Sequence, residues 1–282
     1  MLRKCFEYDV LDVQPYINWL YFYHAWGLGG KPEEEKLRLR GEAERMLNSW
    51  HGKCHTHAIF GLFDAVSEDD DILLNVSADA SQDKFVRIPM LRQQHPAEGT
   101  QANLCLADFL RPKDKGQKDQ MGAFCATVDS EVLDTYRKDD YLSMMAQTLC
   151  DRLAEATVER MHEEVRKHDW GYAPEEHLSV AQLLREEFQG IRPAIGYPSL
   201  PDTSVNFILD EILCMSEIGI RLTDVGMMTP HASVSGFMFA HPQARYFELG
   251  KIGKDQLEDY ARRRGIPVVL MQRFLQSSLL KK

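Results

Sequence analysis

The chain has 282 residues, 44% of them hydrophobic and 27% charged, the profile of a globular protein able to bury a substantial core. A formal net charge of −10 argues against nucleic acid or an anionic membrane as a partner, since both call for a basic surface. Residues 1–10 mix Arg3, Lys4, Glu7 and Asp9 with few apolar side chains, and no stretch of about 18 apolar residues occurs, so a cytoplasmic protein is expected. The cysteines are scattered without a CxxC pair and read as small buried hydrophobes rather than a disulfide framework.

In chain order, the spacing predicts an amphipathic helix over 16–27, ended by Gly29 and Gly30, and a charged helix over 32–50 with Pro32 in its first turn. Strand texture comes next at 57–63, 72–76, 85–88 and 121–128. The longest helix is expected over 141–168, with Leu142, Met145, Leu149, Leu153 and Ala156 at the 3–4 spacing of a buried stripe. Ser179 and Gln182 form a capping box that opens a helix running to Glu187. A proline-punctuated loop at 192–201 leads to a helix over 205–214. Strands at 232–240 and 246–249 precede closing helices at 254–264 and 268–280. Strands and helices are partly segregated, which favours α+β over a doubly wound sheet.

Several motifs are set aside. Gly27-Leu28-Gly29-Gly30-Lys31 has the wrong glycine spacing for a phosphate loop, and Pro32 stands where Ser or Thr would hold magnesium. His51, Cys54, His55 and His57 are metal-ligand types but lack a second pair for a tetrahedral zinc site, so no metal is expected. Asp69-Asp70-Asp71 reads as a solvated turn, and Glu33-Glu34-Glu35 as a helix first turn. Ser233-Val234-Ser235-Gly236 is no nucleophile elbow; its small residues suit a strand that something approaches closely.

The informative stretch is 190–202. Pro193 pushes Arg192 into an extended conformation, and Pro198 and Pro201 stiffen the rest of the loop, leaving little entropy to lose on binding. Gly196 and Ala194 leave room for a ligand beside the main chain, Arg192 offers a fork for a carboxylate, and Tyr197 offers a flat face. The plain alternative is a surface loop with Arg192 in an ordinary ion pair. Either way Arg192 is a loop side chain whose removal should spare the fold.

Arg192-Pro193-Ala194-Ile195-Gly196-Tyr197-Pro198 resembles the S-adenosylmethionine-binding signature of the activation domain of cobalamin-dependent methionine synthase. Further segments are similar to that family in order: Tyr16-Ile17-Asn18-Trp19, Trp26-Gly27-Leu28, Leu91-Arg92-Gln93-Gln94, Gly122-Ala123-Phe124, Trp170-Gly171-Tyr172-Ala173-Pro174, Ala232-Ser233-Val234-Ser235-Gly236 and Asp259-Tyr260-Ala261-Arg262-Arg263. The resemblance implies one C-shaped α+β domain over 1–282, with a twisted, mainly antiparallel sheet flanked by helices. It implies that Arg192 holds the methionine carboxylate, that Ala194 and Gly196 contact the ligand through the backbone, and that Tyr197 sits between ligand and corrin. Tyr246 matches a further ligand-contacting tyrosine, and Glu155 a carboxylate of the same cleft. Asn18 stands where the family usually has Asp, so a charge is lost there, and Asp64-Ala65-Val66 replaces the family's usual Pro-Ala-Asn turn.

The implied function is a methyltransferase component that binds S-adenosylmethionine and supplies its methyl group for reductive remethylation of cob(II)alamin on a separate methionine synthase subunit. Cobalamin would be carried by that partner, and a flavodoxin- or ferredoxin-like protein would give the electron. No Asp-x-His-x-x-Gly corrinoid motif and no Cys-Cys thiolate pair occurs here, so methionine synthesis by this chain alone is not expected. The alternatives are a sensing module that binds the same ligand and a reactivator of another corrinoid methyltransferase.

Overall fold

The computed structural model describes residues 1–77, 83–96 and 102–280. The chain opens on a strand that its charged residues conceal. In β1 (Leu2–Asp9), Phe6 and Tyr8 are buried while Cys5 and Glu7, alternating with them, are exposed, the period-2 pattern of a half-buried strand. Asp9 then caps the single turn α1 (Val10–Val13). The helix expected over 16–27 is shorter: Ile17 is extended, and α2 (Trp19–Ala25) starts only where the Asn18 side chain accepts the Leu20 N–H at 3.2 Å. Gly27 comes after it in the left-handed region, as a helix terminus requires. Helix α3 (Glu33–Trp50) carries Glu33, Glu34 and Glu35 in its first turn and buries Leu39, Ala43, Met46, Leu47 and Trp50.

The sheet is built on β2 (His55–Glu68), β3 (Asp71–Asn75), β4 (Phe85–Pro89) and β5 (Asp119–Val128). Strand β2 is twice the expected length, with Asp64-Ala65-Val66 running straight through it. One edge of β2 pairs with β1 over its first half and with β3 over its last residues, and the other edge pairs with β5. The long helix is α4 (Asp140–Glu164), capped by Asp139, and it widens into a π-helical turn over Val165–Asp169. Its stripe of Met145, Leu149, Leu153 and Ala156 is buried as expected, whereas Leu142 is exposed at the helix start.

The Ser179–Gln182 capping box is present, but the helix it opens, α5 (Val180–Leu183), stops after one turn. Helix α6 (Val205–Leu213) and the short hairpin β6 (Arg221–Leu222) and β7 (Met228–Thr229) lead to β8 (Ser233–Met238), which pairs with β5. Helices α7 (Lys254–Arg264) and α8 (Val268–Phe274) close the fold. No strand forms at 246–249. Phe247 and Leu249 are buried in alternation with exposed neighbours, but the backbone has no partner strand and the Leu249 N–H goes to Pro198 O at 3.1 Å.

Every pairing in the main sheet, ordered β4-β3-β2-β5-β8 with β1 beside β2, is antiparallel. Helices cover both faces, so the middle strands are apolar on both sides. Ala58, Phe60 and Leu62 pack with α3 and α4, while Ile59, Phe63 and Ala65 pack with α6 and α7. The protein is therefore α+β, with a mainly antiparallel sheet between helical layers. Among the described residues no helix is long and apolar enough to cross a membrane.

Two clusters read from the sequence resolve into ion pairs. Asp71 is buried, not solvated: Arg87 Nη1 donates to its Oδ2 at 2.6 Å and Arg263 pairs with its other oxygen. In the histidine cluster, His51 Nδ1 lies 3.0 Å from Asp9 and His57 Nε2 lies 2.9 Å from Asp129, while Cys54 is buried. The Asp129 hydrogen bond raises the His57 pKa above its ordinary value, against the downward pull of burial. A raised folded-state pKa stabilises fully below the unfolded imidazole value, and that stability is lost as pH rises through the folded one. The stability difference between the unsubstituted protein and His57→Gln should thus be largest near about pH 6 and shrink towards about pH 9, as read by urea unfolding. A difference that grows with pH would contradict the pairing.

Candidate functional site

The loop after α5 is held against the sheet by backbone bonds. Ile191 and Phe239 exchange N–H···O bonds at 2.9 Å, Phe237 donates to Pro193 O at 3.1 Å, and Ile195 donates to Ser235 O at 2.9 Å. The close approach expected at Ser233–Gly236 is this loop's own. A Cβ on Gly236 would lie 2.2 Å from Pro193 O and 2.9 Å from Ala194 Cα, so any side chain there would push the loop off β8. At the far end, buried Asp202 accepts from the Ser204 N–H at 2.9 Å and from Tyr260 Oη in α7 at 2.8 Å. Both ends of the loop are therefore pinned.

Between the loop and α4 lies a cleft of about 660 Å³, within the range of small-molecule sites. It is lined by Asn18, Glu155, Arg192, Ala194, Tyr197 and Tyr246, so it gathers residues from four separated segments that the sequence singled out. Gly196 is not on the cleft wall. It is exposed next to the wall with φ +90°, its N–H bonded to Leu200 O at 2.8 Å, in a conformation that lets the loop reverse and present Tyr197. Asn18 reaches the cleft while serving as the cap of α2.

Arg192 is not the exposed loop side chain that composition suggests. Its guanidinium is held end-on by Glu159 of α4: Nη1 donates to Oε1 at 3.2 Å and Nη2 pairs with Oε2. Nη1 also lies 3.3 Å from His162 Nδ1, and the backbone N–H of Arg192 donates to Tyr246 Oη at 3.0 Å. Burial raises the Glu159 pKa, and the Arg192 and Arg166 charges oppose that rise. Burial, joined by the Arg166 and Arg192 charges, drives His162 well below the ordinary imidazole value, so it is neutral.

Glu155 does not pair with Arg152 along the helix; its Oε1 accepts from Tyr197 Oη at 2.7 Å. Burial and the adjacent carboxylate push the Tyr197 phenol up, so it keeps its proton while its ring stays half exposed at the mouth. Glu159, Glu186 and Glu248 also line the cleft and were not singled out. For Glu159 a signal was available: it lies four residues after Glu155 and shares its helix face.

An α+β module with a pinned, proline-stiffened loop and an arginine- and carboxylate-lined cleft beside its sheet is a small-molecule-binding domain. The chain belongs to the vitamin B12-dependent methionine synthase activation domain family, whose sequence model matches residues 9–265. It is similar to the crystal structure of the MetH reactivation domain bound to AdoHcy, at 37% identity and a TM-score of 0.92, covering 100% of this chain and 91% of that one.

Proposed function

We propose that this chain binds S-adenosylmethionine in the cleft and presents its methyl group to a cobalamin held by a methionine synthase module. Arg192 takes the ligand carboxylate, Ala194 and the backbone turned by Gly196 line its path, and Tyr246 holds the Arg192 backbone in place. Tyr197 faces the incoming corrin from the mouth, and Glu155 and Asn18 lie on the cation side. The similar MetH structure, which carries AdoHcy, supports the ligand class.

The observation that carries this reading is charge. The cleft wall bears Glu155, Glu159, Glu186 and Glu248 against Arg152 and Arg192, an excess of carboxylates. S-adenosylmethionine carries a sulfonium that S-adenosylhomocysteine lacks, so the wall favours the methyl donor over its product. The partner's cobalt, once reduced by a flavodoxin- or ferredoxin-like donor, supplies the nucleophile. This chain's residues position the ligand and exclude water, and no proton has to move.

Calorimetry should give tighter binding of S-adenosylmethionine than of S-adenosylhomocysteine, with the preference shrinking as salt is raised. Transfer of a labelled methyl group to a cobalamin-loaded methionine synthase module, in the presence of reductant, separates a methyl donor from a sensing module. Absence of binding of either nucleoside removes the proposal.

A further inference from the structure

We infer that Glu159, His162 and Tyr172 form a proton-ordered brace that fixes which edge of the Arg192 guanidinium meets the ligand carboxylate. The inference rests on the proposed binding of S-adenosylmethionine and names the residues that set it up. Arg192 has five N–H groups and no acceptor. Nη1 spends both of its hydrogens, on Glu159 Oε1 at 3.2 Å and His162 Nδ1 at 3.3 Å, and Nη2 spends one on Glu159 Oε2. The remaining hydrogens, on Nε and Nη2, have no partner among the described residues. They lie on one edge of the planar group, parallel, in the geometry that a carboxylate accepts side-on. Glu159 and His162 thus occupy the end of the fork and leave the side.

The protons of the brace are dictated by its donor-only member. Because Arg192 can only donate, His162 Nδ1 must accept, and a neutral His162 carries its hydrogen on Nε2. Nε2 lies 3.3 Å from Tyr172 Oη, which therefore accepts there and donates its own hydrogen to Gln189 O at 3.2 Å. Gln189 lies three residues before Arg192, so the chain of bonds returns to the base of the loop that carries the guanidinium. Packing reinforces it. The Phe188 ring lies 5.4 Å from the Arg192 guanidinium, meets His162 edge-on at 4.9 Å, and has the buried Arg166 guanidinium 4.2 Å away. Glu159 and His162 are both buried and lie one turn apart on α4, so two members of the brace sit on the long helix beside the cleft.

These are positioning residues, and the test separates orientation from general damage. Affinities of the unsubstituted chain and Glu159→Gln are measured by calorimetry for S-adenosylhomocysteine and for 5′-methylthioadenosine, which lacks the amino-acid carboxylate. Glu159→Gln should lose roughly ten- to a hundredfold in affinity for the first and stay within about twofold for the second. Unchanged affinity for S-adenosylhomocysteine, or an equal loss for both ligands, overturns the brace. If the unsubstituted chain binds neither, the binding reading falls first and this inference goes with it. Nitrogen-15 spectra of the unsubstituted protein give a check independent of any variant. His162 should be neutral with its proton on Nε2, and a proton on Nδ1 rules the brace out.

Discussion

Arg192→Ala is expected to reduce S-adenosylmethionine affinity by roughly a hundredfold or more, and also to destabilise the fold by about 3 kcal/mol at neutral pH. The first effect comes from the proposed role: a bidentate, charge-assisted contact is lost, and the ligand carboxylate enters a cleft rich in carboxylates. The second was not visible from the loop alone, where the substitution should spare the fold. Glu159 is buried, and Arg192 is the chief opposition to the upward push of desolvation on its pKa. Without the guanidinium, Glu159 must stay charged without a partner or take up a proton. A folded-state pKa raised above the unfolded one gives stability that is present in acid and lost as pH rises through the folded value. The variant should therefore come closest to the unsubstituted protein at low pH and fall furthest behind at high pH. The double variant Arg192→Ala/Glu159→Ala should recover most of the stability and none of the binding. Unchanged affinity in the single variant would remove the site assignment; a double variant no more stable than the single one would remove the ion-pair account.

The elements that read well from sequence are those whose apolar pattern follows directly from burial, whether on one side or on both. Helix α4 shows its stripe from Met145 to Ala156, and β5 shows, from Met121 to Val128, the nearly continuous apolar run of a strand covered on both faces. Strand β1 escaped because its charges mask the two buried aromatics, and because what makes it a strand is the edge of β2, more than forty residues away. At 246–249 the reverse occurred: alternation was present, but the segment packs beside the 192–201 loop, where the Leu249 N–H bonds Pro198 O instead of a strand. The site divides in the same way. Residues of the Arg-Pro-Ala-x-Gly-Tyr-Pro stretch, with Asn18, Glu155 and Tyr246, could be picked out by resemblance. Glu159, on a helix surface crowded with Arg160, Glu163 and Glu164, looks solvated until the loop carrying Arg192 packs over it. Burial of a charge is decided by tertiary contact, and local sequence does not record it.

Asp202 illustrates that limit and leads to the other large effect. It ends the proline-stiffened stretch and looks like a turn residue, yet it is fully buried. It accepts from the Ser204 N–H and from Tyr260 Oη, and its carboxylate lies 3.5 Å from Arg264 Nε; the Arg264 side chain is itself only 6% exposed. Burial and the neighbouring Asp202 carboxylate hold the Tyr260 phenol well above its ordinary pKa, so it remains a donor. Asp202→Ala would strand the phenol hydrogen, a backbone N–H and a guanidinium whose other contact is Ser204 Oγ at 2.8 Å. Leaving a buried cation without its counterion costs about 3–5 kcal/mol, a large fraction of the stability of a typical domain. Asp202→Asn should cost less, since one accepting oxygen remains, but the amide nitrogen that replaces the other cannot accept, so either the Ser204 or the Tyr260 bond is lost with the charge. Because Asp202 pins the end of the loop opposite Arg192, a variant that still folds should also bind S-adenosylmethionine more weakly, although Asp202 does not line the cleft. Urea unfolding midpoints and calorimetry on the same samples test both consequences. Stability within about 1 kcal/mol of the unsubstituted protein would show that the loop is held by its backbone bonds to β8 alone.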